Sequence, residues 1–299
     1  MFMDNIYILF DCPDESNDKK WLIDGLKKIC TGKVESISIQ ANLFLLKEQG
    51  VIGKVKAFYI MIEQAWRAIR MAKPGDAIIT WNRISGLLVN TFLYKKKITL
   101  IAMNWLTPLP KDKKIKRFLY ALASNPSNYI IVNSPESPKK WYDFLKLSTM
   151  SRFRHIPDVY DTRYTFNYNF SIPKEKYCFT GGMNNRDWKL VVKLASRIPD
   201  YKFICVSSQD DFEEQTRGMQ FPANLQVHYN IPSEQYYNLM NNAYLVLLPL
   251  RSKNVAGLIN ITRAAQGGVM TIITKTPAAQ QYYSMECQDM LIDGDINHW

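Results

Sequence analysis

Leu245 to Thr276 reads LVLLPLRSKNVAGLINITRAAQGGVMTIITKT. Leu245–Leu248 is an apolar run closed by Pro249, Leu258–Gln266 has helical spacing, Gly267-Gly268 turns the chain, and Val269–Ile273 is a second apolar run. The order strand, polar loop, glycine, helix, turn, strand predicts a βαβ unit with parallel strands. The loop and the helix N-terminus then lie at the carboxyl end of the first strand. Free backbone N–H groups and the positive end of the helix dipole meet there, and Arg251 and Lys253 sit in the same loop. Such a place suits an anion, and points to a phosphate-bearing small ligand of the nucleotide class.

The same alternation extends outward in both directions. Toward the N-terminus, strands are expected at Asn5–Phe10 (NIYILF), Val34–Gln40, Ala77–Trp81, Ile98–Met103 and Tyr129–Val132. Helices are expected at Trp21–Cys30, Lys56–Ala72, Ile115–Ala123 and Ser137–Leu145. In Lys56–Ala72 the residues Phe58, Ile62, Ala65, Trp66 and Ile69 fall on one face. After an irregular, aromatic stretch around Arg154–Pro173 the alternation restarts. Strands are expected at Tyr177–Thr180, Lys202–Val206, Leu225–Tyr229, Tyr244–Leu248, Val269–Ile273 and near Asp289–Ile292, with helices at Trp188–Ile198, Ser233–Asn241 and Leu258–Gln266. The pattern predicts two doubly wound α/β domains, 1–157 and 176–299, joined by a linker 158–175. A cleft between the carboxyl ends of their strands is the expected ligand site.

Composition narrows the class. The 299 residues are 47% hydrophobic and 13% aromatic, enough for two full cores. The five cysteines form no CxxC pair. Cys30, Cys178 and Cys205 stand in apolar surroundings as small hydrophobes, which argues for a reducing compartment. The N-terminus is too short and lacks the basic region of a signal peptide, and no apolar run approaches a membrane span. These features read as a cytoplasmic protein. Net charge is +11 and is unevenly placed: residues 1–157 hold 25 Lys and Arg against 13 Asp and Glu, the rest 13 against 14. The densest cluster, Tyr94–Arg117, flanks an apolar stretch with Trp105. It reads equally as a solvated surface or as attraction to an anionic membrane surface or a phosphate-bearing acceptor. No nucleic-acid motif accompanies it, so a nucleic-acid partner is not expected.

Four features of the second half occur in one order. Strand Tyr177–Thr180 runs into Gly181-Gly182, with Asn185-Arg186-Asp187-Trp188 opening a helix. Strand Leu225–Tyr229 is followed by IPSEQYYNLMNNA, then AYLVLLPL, then the loop, Gly257 and helix quoted first. Over roughly Lys176–Asp295 these features resemble the nucleotide-sugar domain of GT-B glycosyltransferases, and within them the large retaining family 4. The resemblance implies a GT-B fold and a donor site at Gly181, Gly182, Arg186, Arg251, Lys253, Asn254, Gly257 and Thr262. Arg186 is the candidate for the donor pyrophosphate, and the glycines admit close backbone approach. A tight strand-to-helix turn also explains Gly181-Gly182, and packing also explains Gly257. Family 4 chains carry two glutamates eight positions apart in this loop and helix. Here those positions are Asn254 and Thr262, so both carboxylates of the E-x7-E motif are absent. The resemblance also implies further helices after the last strand, whereas this sequence ends at Asn297-His298-Trp299.

For catalysis the candidates are Asp11 and Asp14, in the loop after the first strand, and Asn254. A carboxylate there serves as general base in an inverting enzyme, and Asp-Cys-Pro-Asp is first of all an ordinary turn. Ser207-Ser208 and Asn230-Ile231 end strands on the donor rim, and Trp81, Asn82 and Trp105 are placed to line an acceptor pocket. His155, His228 and His298 are too scattered for a metal site, and no DxD pair is present. No metal and no cofactor are expected, since Arg, Lys and a helix dipole can neutralise a leaving diphosphate.

The expected activity is transfer of a sugar, of hexosyl type and with retention by resemblance, from a nucleotide-diphosphate donor to a glycan or lipid-linked acceptor. The setting expected is polysaccharide biosynthesis, cytoplasmic and peripheral on the inner face of the membrane. The alternatives are a non-catalytic nucleotide-sugar binder of the same fold, or an epimerase or hydrolase sharing it.

Overall fold

Ile6–Leu9 (β1), all four residues buried, is the interior kind of strand that an uninterrupted apolar run forms only when both its faces are covered. The computed structural model describes residues 4–13, 20–43, 46, 49–92, 97–103, 117–118, 120–121, 128–146, 153–157, 175–182, 185–293 and 296–299. The chain divides into two units, Met1–Ile156 and Pro157–Trp299. Asp14, Trp105, most of the basic cluster 94–117, most of the helix expected at 115–123, and linker residues 158–174 lie outside the described residues.

The first unit runs β1, α1 (Lys20–Ile29), β2 (Val34–Ser36), α2 (Gly50–Met71), β3 (Ala77–Thr80), α3 (Arg83–Phe92), β4 (Thr99–Ala102), β5 (Tyr129–Val132), α4 (Ser137–Leu145) and β6 (Phe153–His155). Its sheet has the order β2-β1-β3-β4-β5-β6, with all pairings parallel. Alternate residues feed opposite layers. Tyr7, Leu9, Ile78 and Leu100 pack with Ala65, Ala68 and Ile69 of α2. Ile6, Ile8, Ala77 and Ile79 face the other way, where the partly buried Leu22, Ile23 and Leu26 of α1 pack.

The second unit runs β7 (Glu175–Gly181), α5 (Trp188–Arg197), β8 (Lys202–Ser207), α6 (Gln209–Thr216), β9 (Leu225–Tyr229), α7 (Ser233–Asn242), β10 (Ala243–Leu248), α8 (Leu258–Gln266), β11 (Met270–Thr274), the short α9 (Pro277–Gln280), a 3-10 turn at Met285–Met290 and β12 (Leu291–Ile292). Its parallel sheet has the order β12-β11-β10-β7-β8-β9. The chain starts at the centre, winds outward through β8 and β9, then returns to wind the other way from β10. The reversal falls between β7 and β10. In open α/β sheets ligands bind outside the carboxyl ends of the strands at such a reversal. Tyr177, Phe179, Val246 and Leu248 pack on one face with α8, and Cys178, Phe203, Cys205 and Leu247 on the other with Trp188 and Val191 of α5. Burial pushes the Cys178 thiol up to about 11 and the Cys205 thiol higher still, so both are inert at neutral pH.

Several expectations change. Helix α2 begins at Gly50, six residues before the periodicity suggests, and stops at Ala72 because Pro74 disfavours helical backbone at Lys73. The face expected along it splits: Ala65 and Ile69 are buried, whereas Phe58 and Trp66 are about half exposed. Helices α3 and α6 fill stretches where no helix was expected. In α6 the sequence QDDFEEQT is too polar to show an apolar period, and only Phe212, Gln215 and Thr216 are buried. Phe153–His155, expected to be irregular, pairs with β5 and completes the first sheet.

Candidate functional site

Strand β7 ends in Gly181-Gly182, and the loop 249–257 follows β10, so the two segments meet at the reversal of the second sheet. The joint is tied by backbone: Arg186 forms an isolated antiparallel bridge with Leu250, Asp187 N–H donates to the Pro249 carbonyl at 2.9 Å, and Arg251 N–H to the Asn185 carbonyl at 3.0 Å. Asn185 holds φ 60°, a left-handed conformation asparagine tolerates. Its amide donates to the Ser252 carbonyl, and the Ser252 hydroxyl donates back to its Oδ1, both at 2.9 Å. The Asn254 amide then donates to the Ser252 hydroxyl at 2.8 Å. Asp187 caps α5 by accepting from Leu190 N–H.

Arg186 lies at the centre of this arrangement, 3% exposed. Its Nε donates to the Gly181 carbonyl at 2.8 Å, and the Asn260 amide reaches the same carbonyl at 2.9 Å and the Tyr236 hydroxyl at 2.7 Å. The guanidinium packs directly under two glycines. A Cβ on Gly182, φ 122°, would stand 2.8 Å from Arg186 Nη2, and one on Gly257, φ 78°, 3.5 Å from it. Both positions have a positive φ that favours glycine; at Gly182 a Cβ would also clash with Arg186, whereas at Gly257 it would be tight only against Ile273, at 3.3 Å. Burial lowers the Arg186 pKa, and the Tyr236 phenol beside it works in the opposite direction. Burial pushes Tyr236 up to about 12, against the lowering influence of Arg186 and Asn260, so the phenol stays neutral.

Gly257 is the N-cap of α8 and supplies no side chain to the first helical amides. Those amides and the dipole make the end of α8 a site of positive potential beside a buried cation. A group carrying two phosphates fits such a surface chemically: amides for the oxygens, a guanidinium for the charge.

Of the residues singled out from sequence, the structure brings Gly181, Gly182, Arg186 and Gly257 together, with Asn254 linked to them through Ser252. Arg251 and Lys253 turn to carboxylates instead. Arg251 Nη2 is 3.5 Å from Asp211, which also accepts from Trp188 Nε1 and Gln215, and Lys253 Nζ is 3.1 Å from Asp293. Thr262 is 5% exposed and its hydroxyl donates to the Ile259 carbonyl within α8, so it faces the helix and core. Ser207 is buried, and its hydroxyl makes no hydrogen bond among the described residues. In the first unit Asp11 and Asn82 follow β1 and β3, and the Phe10 and Trp81 rings stand 5.6 Å apart. Among the described residues no three His, Cys, Asp or Glu are grouped to hold a metal.

Sequence reasoning missed Tyr236 and Asn260. Asn260 carried a signal, being a polar residue in the first turn of LINITRAAQ on the side of Gly257. Tyr236 carried none, because YY within a mixed helix does not say which ring points inward.

No family model matches the chain, and no curated protein matches it in sequence. Solved structures do match. The Anabaena protein Alr3699/HepE, solved in complex with UDP and glucose, superposes with a TM-score of 0.66 at 13% identity, over 94% of this chain and 83% of that one. An α,α-trehalose-phosphate synthase (UDP-forming) from Burkholderia vietnamiensis gives 0.62 at 8% identity, over 93% and 86%. UDP-N-acetylglucosamine 2-epimerase from Rickettsia bellii gives 0.56 at 10%, over 99% and 90%. At these identities the likeness shows the fold. It is GT-B, built of two doubly wound Rossmann-like domains.

Proposed function

We propose that the chain is a glycosyltransferase that moves a sugar from a nucleoside-diphosphate donor to a hydroxyl of a glycan or lipid-linked acceptor. The observation that carries this reading is the buried Arg186 guanidinium beneath Gly182 and Gly257 at the N-terminus of α8. In the transfer, the bond between the sugar's anomeric carbon and the diphosphate breaks, the acceptor oxygen bonds that carbon, and the acceptor proton leaves to a base. Negative charge grows on the departing diphosphate. Arg186, the amides after Gly257 and the α8 dipole are fixed before the reaction begins, which is how electrostatic stabilisation acts most strongly. Arg251 and Lys253, at the exposed rim, add charge by exchanging Asp211 and Asp293 for phosphate oxygens. Asn254, half-buried in the same loop, is proposed to hydrogen-bond the donor sugar. The three neighbours described above are associated with UDP or a UDP-sugar, so uridine is the first base to test. A metal-free reaction with retention of configuration completes the proposal, the acceptor proton then passing to the departing diphosphate; a base role for Asp11 or Asp14 belongs to the inverting alternative.

A second reading draws on Asn254 and Thr262, where the family pattern has carboxylates: a non-catalytic binder of nucleotide sugars. Calorimetric titration with UDP, GDP, ADP and their sugars, followed by assay of diphosphate release with and without glycan and lipid-linked acceptors, separates the readings. Binding with acceptor-dependent release, insensitive to chelator, is expected for the transferase. Binding with no release under any acceptor selects the binder, and release without acceptor selects a hydrolase.

A further inference from the structure

Helix α2 buries Met61, Gln64 and Ile69 among its small residues and leaves its aromatic residues outside. Gly53, Ala57, Ala65 and Ala68 are buried against the first sheet and its flanking residues. Val51, Ile52, Val55, Phe58, Tyr59 and Trp66 lie outside, between 47% and 84% exposed. At 3.6 residues per turn these six fall within a stripe roughly 120° wide, opposite and beside the buried face. A soluble surface exposes single apolar side chains routinely, but seldom six contiguous ones with three aromatics.

The charges around the stripe have one sign. Lys54 borders one edge and Lys56, Arg67 and Arg70 the other, against Glu63 alone within the helix. The Arg70 guanidinium lies over the Trp66 ring at 4.5 Å, so the cationic edge and the apolar face are physically continuous. The unit that carries this helix holds the whole positive excess of the chain, net +12 over residues 1–157. A 22-residue helix with an aromatic and aliphatic face edged by Lys and Arg has the form of helices that lie in the plane of a bilayer interface. Among the described residues no helix is long and apolar enough to cross a membrane.

We propose that the outer face of α2 docks on an anionic lipid surface, Val51, Ile52, Val55, Phe58, Tyr59 and Trp66 entering the headgroup boundary and Lys54, Lys56, Arg67 and Arg70 meeting lipid phosphates. A second copy of this chain is a poorer occupant, because the same cationic edge would then face itself. A generic protein partner has nothing on this face to single it out. The site differs from the basic cluster at Tyr94–Arg117, and the proposal is independent of sugar transfer.

The test is co-flotation of the full chain with phosphatidylcholine vesicles with and without phosphatidylglycerol. The wild-type chain should float with the anionic vesicles and be released by salt. The triple variant Val51→Ser/Ile52→Ser/Tyr59→Ser should stay at the bottom, while its melting temperature holds because these three side chains are 67% to 84% exposed. Lys56→Gln and Arg70→Gln should each weaken partition about fivefold. Failure of the wild type to float overturns the proposal, as does flotation of the triple variant at the wild-type level, which would move the contact to another surface. A wild-type dimer that the triple variant dissolves, with no vesicle binding by either, overturns it in favour of self-association.

Discussion

The two sheets each reverse direction once, and the two reversals are built differently. In the second unit the reversal between β7 and β10 holds a buried guanidinium, two left-handed glycines, a left-handed asparagine and a chain of side-chain amides joining the two loops. In the first unit the reversal lies between β1 and β3. There Gln64 donates to the Phe10 carbonyl at 3.0 Å and the Ile37 carbonyl at 2.7 Å, and Phe10 and Trp81 form a ring pair. Asn82 Oδ1 accepts from Ser85 N–H at the start of α3. One rim is thus set in place around a cation, as an anion of fixed shape requires. The other is tied by Gln64 and an aromatic pair, with Asp11 following β1 and Arg83 opening α3. Preorganisation belongs where the charge develops.

The sharpest way to break this contrast is at the cation. Arg186→Ala should lower UDP affinity about a hundredfold by calorimetry, the scale of a lost charge-assisted hydrogen-bond set. Asn82→Ala in the first unit should leave UDP affinity within about twofold. Equal losses would break the contrast between the two reversals. Next in size is Gly182→Ala. It places a methyl against Arg186 at φ 122°, and should cost about 1–3 kcal/mol in chemical denaturation and weaken UDP as well.

The amide supports allow a matched pair. Asn260→Ala and Gln64→Ala each remove a side chain that makes two hydrogen bonds. Each should lose about 1–3 kcal/mol of stability. Asn260→Ala alone should also lower UDP affinity, since only it frees the Gly181 carbonyl that orients Arg186. At the rim, Arg251→Ala and Lys253→Ala should each change stability by less than about 1 kcal/mol, because exposed pairs contribute little. A few-fold, salt-sensitive fall in UDP affinity is expected from each, and no fall would remove them from the site. The remaining effect is confined to alkali. Tyr236 keeps its proton to about 12 when folded, whereas an unfolded tyrosine releases it near 10. Its contribution is therefore complete below pH 10 and is lost as pH rises toward 12. Tyr236→Phe should flatten stability against pH in that window by at most about 1.4 kcal/mol per pH unit.

The alternation of strand and helix, the glycines and most of the second unit's boundaries were legible in the sequence, because a strand buried on both faces leaves an unbroken apolar run. Helix α8 was readable to the residue, set between Gly257 and Gly267. Helix α6 was not, because its small buried face leaves no period. The site was legible in part. Arg186 and the glycines announced themselves by type and place. Which cations remain at the rim, and which polar side chains support Arg186, depended on residues 24 to 79 positions apart in the chain.

By itself, then, the sequence determined two parallel α/β units, an anion-suited loop after β10 and the absence of carboxylates at Asn254 and Thr262. Local periodicity and residue type suffice for such features. The tertiary structure alone decided that Arg186 sits beneath Gly182 and Gly257, that Arg251 and Lys253 turn to Asp211 and Asp293, and that α2 packs by its alanines and leaves its aromatics outside. A helix with two apolar faces cannot say which one the sheet will cover. The covered face holds Gly53 and the alanines together with Met61, Gln64 and Ile69, and the aromatics stay outside.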